Sequence, residues 1–159
     1  MVVVVVLKLL THNIVGLGVA ALVSTKWGCS LACVLASSLL GLFIQNVIDM
    51  FSHEHRGTYT RRTRLLHSLE GVTGLAIILT AIIAAALNMK TFDVIGLLLA
   101  VEASALSHLA LDSLTPDGVY IMGRRFTLAR IPYDSFEVNV VAQALGLLAL
   151  AAAILSYAS

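Results

Sequence analysis

Five long apolar stretches constrain this chain more than any other feature of its sequence. They cover residues 9–25, 28–51, 66–88, 92–114 and 137–158. An α-helix needs about 20 apolar residues to cross the hydrocarbon core of a bilayer, and each stretch approaches or exceeds that length. Only 12% of the 159 residues are charged, against about 25% in a soluble domain. The sequence therefore predicts a single all-α domain over residues 1–159, a polytopic membrane protein with about five transmembrane helices in one bundle.

The start of the first helix is open to two interpretations. Residues 2–6 are a β-branched apolar run, whereas Lys8 and His12 interrupt the apolar pattern. In one interpretation the helix begins at this run and is long. In the other, Thr11 caps a shorter helix and residues 1–10 lie at the membrane interface. Only the shorter helix would place His12 near a helix end.

The two cysteines, Cys29 and Cys33, lie four residues apart inside an apolar stretch. On a helix they would share a face, with their Cα atoms about one turn apart. Small buried packing residues are therefore favoured over a disulfide or a metal-binding pair. The cysteines do not indicate a redox compartment.

The basic residues predict the orientation in the cell membrane. The two long loops, 52–65 and 115–136, hold seven arginines, whereas the opposite side carries only Lys26 and Lys90. The positive-inside rule places both long loops and the N-terminus in the cytoplasm, with Trp27 at the outer boundary. No basic tract indicates nucleic-acid binding, and the oligomeric state is left open, a homo-oligomer included.

Ionisable residues within the apolar stretches gather at one set of helix ends. Such residues are costly in a membrane and are functional candidates. Asp49 ends the second stretch, His67 begins the third, and His108 and Asp112 end the fourth. His12 joins them if the first helix is short. Because successive helices alternate in direction, these ends meet at one membrane face.

The residue types at this face favour a divalent metal ion. His108 and Asp112 are spaced i, i+4, so both side chains can reach one ion. Asp49 and His53 have the same spacing if the second helix continues past its apolar part. Imidazole with carboxylate suits Zn²⁺, Mn²⁺ or Fe²⁺ better than Ca²⁺, and a bound ion would acidify water to give a hydroxide nucleophile. The predicted ligands, with zinc as the first choice, are His12, Asp49, His67, His108 and Asp112.

Other ionisable residues have weaker patterns. Glu70 lies one turn deeper than His67, where it is a candidate general base, a carboxylate that orients His67, or a structural partner. Glu102 lies towards mid-membrane, and a packing or hydrogen-bonding role is favoured. His53 and His55 fit a solvated loop as well as they fit ligation.

The motifs around these residues resemble those of a known family, the YdjM-like membrane-bound metal-dependent hydrolases, and in particular its archaeal branch. The resemblance spans residues 11–119, and its most specific part is S-H-x-x-x-D-x-x-T-P-x-G. The motifs are, in order, Thr11-His12 with Gly16, Asn46-Val47-Ile48-Asp49, His67-Ser68-Leu69, and Ser107-His108-Leu109-Ala110-Leu111-Asp112-Ser113-Leu114-Thr115-Pro116-Asp117-Gly118-Val119.

The order His, Asp, His and His-x-x-x-Asp is more distantly similar to that of the zinc-dependent phospholipase C and single-strand nuclease superfamily. That resemblance implies that Asp49, His67, His108 and Asp112 hold one metal. It also implies that His12 and Asp112 contribute to a second. The superfamily has a further histidine-rich ligand set, but no histidine follows Asp112, so a three-metal site is not expected.

Together these features predict a metal-dependent hydrolase, a phosphoesterase acting on a lipid or lipid-linked substrate at the cytoplasmic face. Arginines of the long loops would stabilise the phosphate oxygens. The alternative is a non-enzymatic membrane protein, either a metal-ion or proton translocator or a structural module. Transport would need polar residues that continue to the far face, and residues 14–44 and 71–87 hold few. Glu102 and Gln143 keep that alternative open.

Overall fold

The computed structural model describes residues 2–51, 53–56, 59–132 and 134–158, with side chains described for 9–51, 63–132 and 134–158. Within these residues, five α-helices are each long and apolar enough to cross a membrane. This confirms the predicted all-α membrane fold. The helices are α1 (Val2–Trp27), α2 (Leu31–Phe51), α3 (Leu69–Ala86), α4 (Thr91–Ser113) and α5 (Phe136–Ala158).

The first helix is the long one of the two interpretations. Helix α1 begins at Val2 and has 26 residues, so Thr11 does not cap it. His12 lies about three turns inside the helix. The expectation that His12 must sit near a helix end to join the other ligands is therefore wrong, because it reaches them from the helix interior.

Helices α1 and α4 form the centre of the bundle. Helix α1 packs against α2, α4 and α5, and α4 also packs against α2 and α3. The α1–α5 contact depends on small residues, since a Cβ on Gly18 would overlap the carbonyl oxygen of Gly146. Such close backbone approach is typical of helix packing in membranes. The hydrophobic effect does not drive helices together there, and small residues allow the close van der Waals contact that does.

The bundle has two ends of different composition. We call the end that carries Asp49, His67 and Asp112 the histidine end, and the end that carries Trp27 and Asp93 the tryptophan end. Between them lies an apolar core built mainly from α2, α3 and α4. Its largest fully buried apolar side chains are Ile44, Ile48, Val72, Leu97 and Val101.

Each long polar loop contains a short antiparallel hairpin, which the sequence patterns did not predict. The hairpins are β1 (His53–Arg56) with β2 (Tyr59–Arg62), and β3 (Val119–Ile121) with β4 (Arg124–Phe126). Both residues of the β3–β4 turn, Met122 and Gly123, have positive φ, as a type I′ hairpin turn requires.

The end of α2 corrects one sequence prediction. The helix stops at Phe51 and the chain enters β1 at His53. Asp49 and His53 therefore do not share a helical face, and their predicted i, i+4 pairing on an extended helix is wrong. The side chains of His53 and His55 lie outside the described part of the structure.

The tryptophan end is closed by contacts between the α1–α2 link and the start of α4. The Asp93 carboxylate accepts hydrogen bonds from the Ser30 amide at 3.0 Å and the Ser30 hydroxyl at 2.7 Å. The Trp27 indole donates to the carbonyl of Phe92 at 3.2 Å. Ser30, directly before α2, is thereby fixed to α4.

Cys29 and Cys33 are joined in a disulfide at this end. Both are buried as expected, but the preference for unpaired packing residues over a disulfide is wrong. Cys29 precedes α2 instead of lying on it. Its Cα atom is 5.5 Å from that of Cys33, which is a usual separation for a disulfide.

Candidate metal centre

The five predicted ligands lie together at the histidine end. His12 comes from α1, Asp49 from the last turn of α2, and His108 and Asp112 from the last two turns of α4. His67 comes from the segment just before α3. The three histidines and Asp112 are almost fully buried, and Asp49 is the most accessible of the five at 16% exposed.

The Asp112 carboxylate lies among three imidazole rings. Its Oδ1 is 3.5 Å from Nε2 of His12, and its Oδ2 is 3.1 Å from Nε2 of His67 and 3.3 Å from Nε2 of His108. Nε2 of His108 is also 3.7 Å from Oδ1 of Asp49. Two groups close enough to hold an ion therefore share His108, one with His12 and Asp112 and one with Asp49 and His67.

The histidine rings pack against each other. The His12 and His108 rings stack with centroids 4.1 Å apart and planes inclined by 27°. The His67 ring is tilted by 58° to that of His108 at 5.8 Å. Neutral imidazole is the form that binds metal ions.

The backbone of His67 is held from both sides. Sequence analysis placed His67 at the start of the third helix, but the helix begins two residues later and Ser68 is its N-cap. The Ser68 hydroxyl accepts a hydrogen bond from the Gly71 amide at 3.0 Å, as N-cap serines do. The Tyr120 amide donates to the His67 carbonyl at 2.8 Å. The cap and the β3–β4 hairpin together fix the position of the His67 backbone.

The residues after Asp112 stop α4 and build the turn into the hairpin. The Asp112 carbonyl accepts hydrogen bonds from the amide and the hydroxyl of Thr115, at 3.0 and 2.8 Å. The Arg125 guanidinium donates to the carbonyls of Pro116 at 2.7 Å and Asp117 at 2.8 Å. Asp112 thus lies in the last helical turn of α4, and the chain turn that follows fixes the end of this helix. The Arg125 side chain stabilises that chain turn.

The two glutamates have different surroundings. Glu70 is exposed, and its carboxylate accepts a hydrogen bond from the Met122 amide at the tip of the β3–β4 hairpin. It therefore faces the hairpin, and its predicted role as general base stays a prediction. Glu102 accepts a hydrogen bond from Thr73 at 2.7 Å, which confirms the hydrogen-bonding role favoured for it.

Gln45 contacts the ligand set, and sequence analysis did not single it out. It is fully buried on α2, and its Oε1 is 2.7 Å from Nδ1 of His108. Gln45 lies four residues before Asp49, on the same face of the helix. The sequence did offer one signal: a polar residue inside an apolar stretch, one helical turn before a predicted ligand.

A small cavity of about 40 Å³ opens beside His12 and Asp112. This volume accommodates water. Thr11 and Asn139 form its polar wall, and the Thr11 hydroxyl donates to the side-chain amide oxygen (Oδ1) of Asn139 at 2.8 Å. Gln143 donates to the same hydroxyl at 2.9 Å, which fixes α5 to α1 next to the cavity. The other side is mainly apolar and includes Leu111, Leu114, Ile131, Pro132, Val138 and Ala142.

The model of one protein family, described as "Protein of unknown function (DUF1286)", matches residues 7–111. The matched region covers most of α1 to α4 and includes His12, Asp49, His67 and His108. It ends one residue before Asp112. No curated protein and no solved structure matches the chain.

Proposed function

Since this chain belongs to the DUF1286 family, whose function is unknown, we propose its function from its own site: a membrane-embedded metal-dependent hydrolase, acting as a phosphoesterase on a lipid or lipid-linked substrate. One observation carries the proposal. The carboxylate of Asp112 lies 3.1–3.5 Å from the Nε2 atoms of three buried histidines.

The spacing of these atoms fits a metal ion. Two ligand atoms about 2.1 Å from one tetrahedral ion lie about 3.4 Å apart. The four distances that join the histidine nitrogens to Asp112 and Asp49 run from 3.1 to 3.7 Å. Imidazole nitrogen and carboxylate oxygen are both metal-ligand atoms, so a cation between them would be bound by both. Nitrogen with oxygen suits Zn²⁺ best, and also Mn²⁺ or Fe²⁺.

The surroundings favour hydrolysis over a purely structural metal. Structural zinc sites are closed by four protein ligands, whereas catalytic sites keep a position open. His12 and Asp112 border a cavity that accommodates water. When bound, a divalent ion would supply a Lewis acid and acidify a water molecule there. Asp112 and the ring nitrogens would hold the ion, and Thr11 with Asn139 shapes the space beside it.

Arginines at the same end support an anionic substrate. Arg64, Arg124 and Arg130 have exposed side chains, and Arg64 lies 5.4 Å from the centre of the Tyr120 ring. Guanidinium groups bind phosphate oxygens through paired hydrogen bonds. We propose that these arginines bind the headgroup phosphate and that Glu70 acts as general base. By the arginine distribution, the histidine end and the N-terminus face the cytoplasm.

The path of polar contacts away from the site argues against a translocator. From His108 the contacts pass to Gln45 and then to Ser104, whose hydroxyl donates to the Gly41 carbonyl at 3.1 Å. That carbonyl belongs to the backbone of α2, and a backbone carbonyl cannot pass a proton on. Next towards the tryptophan end come apolar core residues such as Leu40 and Leu97. Among the described residues, this chain of contacts from His108 therefore ends at the Gly41 carbonyl, which supports a hydrolase over a translocator.

The proposed function is tested by the products of phospholipid hydrolysis, which are inorganic phosphate from phosphatidic acid and glycerol or glycerol phosphate from phosphatidylglycerol. The protein is reconstituted with Zn²⁺ or Mn²⁺ into vesicles that contain phosphatidic acid or phosphatidylglycerol. We expect the wild type to hydrolyse one of these phosphoesters, and His67→Ala and Asp112→Asn to lose the activity. Asp93→Asn, which changes the tryptophan end, should keep it. Metal-loaded wild-type protein that is no more active than Asp112→Asn on every phosphoester would overturn the proposal.

A further inference from the structure

We infer that Gln45 is a positioning residue that fixes the His108 ring with its Nδ1 protonated and its Nε2 lone pair directed at Asp49 and Asp112. The inference rests on the proposed metal centre and adds the group that prepares one of its ligands. Gln45 is fully buried, and it contacts residues of α4 from its place on α2. The orientation of its side-chain amide follows from the groups at the two ends of the contact chain.

The Ser104 backbone carbonyl fixes the amide of Gln45. The Gln45 Nε2 is 2.7 Å from this carbonyl oxygen and 3.0 Å from the Ser104 hydroxyl. A backbone carbonyl only accepts hydrogen bonds. Rotating the amide by half a turn would place two carbonyl oxygens 2.7 Å apart, which is repulsive. The amide nitrogen must therefore face Ser104, and Oε1 must face His108.

The Ser104 hydroxyl has a fixed direction for the same reason. It lies 3.1 Å from the carbonyl oxygen of Gly41, and only the hydroxyl can donate in that contact. Its lone pair is then directed to Gln45, so it accepts from the amide nitrogen. Both hydrogens of the Gln45 amide are thereby used at Ser104, and both ends of the chain are backbone carbonyls that cannot change role.

This arrangement selects one tautomer of His108. Oε1 of Gln45 is 2.7 Å from Nδ1 of His108 and can only accept, so Nδ1 carries the hydrogen. In the neutral ring the lone pair is then on Nε2. That atom is 3.3 Å from Asp112 and 3.7 Å from Asp49. A hydrogen bond from the other ring nitrogen is how metal-binding histidines are generally oriented.

Gly16 makes room for this side chain. A Cβ placed on Gly16 of α1 would lie 2.5 Å from Nε2, 2.6 Å from Cγ and 2.7 Å from Cδ of Gln45. No Cβ tolerates such distances, so a larger residue at position 16 would move the Gln45 amide away from Ser104 and His108. Gly16→Ala therefore disturbs the same contact as a substitution of Gln45, from a different helix and without changing a polar group.

The tautomer is measured directly in metal-free protein. Histidine labelled with ¹⁵N gives separate NMR signals for protonated and unprotonated ring nitrogens, and the His108 signals are assigned from a His108→Asn sample. At a pH where the ring is neutral, the wild type should show Nδ1 protonated and Nε2 unprotonated. In Gln45→Met, which has similar volume and no amide, this preference should be lost. A wild-type ring protonated at Nε2, or no change in Gln45→Met, would overturn the inference.

Zinc affinity gives the second readout. Removing an outer hydrogen-bond partner of a metal ligand typically weakens metal binding by about 10- to 100-fold. We expect that loss in Gln45→Met and a comparable one in Gly16→Ala. Ser24→Ala is the control, because it removes a buried hydroxyl of α1 that donates to carbonyls of its own helix near the tryptophan end, and it should stay within about threefold of wild type.

The two readouts separate this inference from the proposed function. If Gln45→Met does not fold, Gly16→Ala carries the test in both experiments. Zinc binding that is equal in Gln45→Met, Gly16→Ala and Ser24→Ala would contradict the role of Gln45 and leave the metal centre intact. A wild type that binds no divalent metal would contradict the proposed function, and the NMR measurement on metal-free protein would still decide the tautomer.

Discussion

Both ends of the bundle bring together residue types that bind metal ions, but they do so in different ways. At the tryptophan end, Cys29, Cys33 and Asp93 place their sulfur and oxygen atoms within 4.8 Å of one another, as do the two groups at the histidine end. The cysteines are joined to each other, and Asp93 accepts two hydrogen bonds from Ser30. The cysteine sulfurs and the Asp93 carboxylate at that end therefore already have partners within the protein.

At the histidine end, the tautomer inferred for His108 places its Nε2 lone pair against carboxylate oxygens. A carboxylate oxygen of Asp112 faces Nε2 of His67 and of His108 at 3.1 and 3.3 Å. With Nδ1 of His108 donating to Gln45, the Nε2 of the neutral ring has no hydrogen to offer. Proximity of ligand-type residues therefore does not distinguish a functional cluster from a structural one. The pairing of hydrogen-bond donors with acceptors distinguishes the two kinds of cluster, and it favours a cation at the histidine end.

The largest contrast is expected between Asp112→Asn and Asp93→Asn. The first replaces a carboxylate that lies against three imidazoles, so zinc affinity should fall by more than the roughly 100-fold upper range for an outer partner. The second removes a charge at the tryptophan end and should leave zinc affinity unchanged. Competition with a chromophoric chelator measures both constants. Equal losses in the two variants would remove the distinction between the ends.

A smaller effect is expected where a ligand is displaced but not removed. A Cβ on Gly71 would overlap the carbonyl oxygen of Leu65, whereas a Cβ on Gly74, one turn later, meets open space. Gly71→Ala should shift the segment that carries His67, weaken zinc binding by about tenfold, and destabilise the fold by about 1–3 kcal/mol, as overpacking does. Gly74→Ala should do neither. Zinc titration with thermal unfolding in detergent measures both, and a zinc affinity shared by the two variants would argue against the placement of His67.

The smallest effect on zinc is expected from the double variant Cys29→Ser, Cys33→Ser. The disulfide closes a short loop, so its loss should cost about 2 kcal/mol of stability. Zinc affinity should stay within about twofold of wild type, because the sulfurs lie at the opposite end. Denaturation in mixed detergent and zinc titration give the two values. A large loss of zinc affinity at unchanged stability would move the metal site to the tryptophan end.

The sequence predicted the helices and the grouping of the candidate ligands for physical reasons that need no tertiary information. A membrane-spanning helix requires a long apolar stretch, and such stretches can be read directly. Helices that alternate in direction bring Asp49, His67, His108 and Asp112 to one end, as the structure confirms. Their use as metal ligands and the hydrolase activity stay predictions.

The features that escaped prediction depend on contacts between distant segments. The direction of Glu70 follows from the β3–β4 hairpin, whose Met122 amide binds it, and the short hairpin strands have no long alternating pattern. Gln45 becomes informative only when Ser104 and His108 of another helix surround it. The Cys29–Cys33 bridge depends on where α2 begins, a boundary that an unbroken apolar stretch does not mark.

Zinc K-edge X-ray absorption on the purified, zinc-loaded protein tests the central claim most directly, because it reports which atoms surround the ion. The account predicts about one zinc or more per chain, with nitrogen and oxygen neighbours at about 2.0–2.1 Å, imidazole scattering, and loss of the signal in Asp112→Asn. Sulfur neighbours at about 2.3 Å, or less than stoichiometric zinc in the wild type, would contradict it.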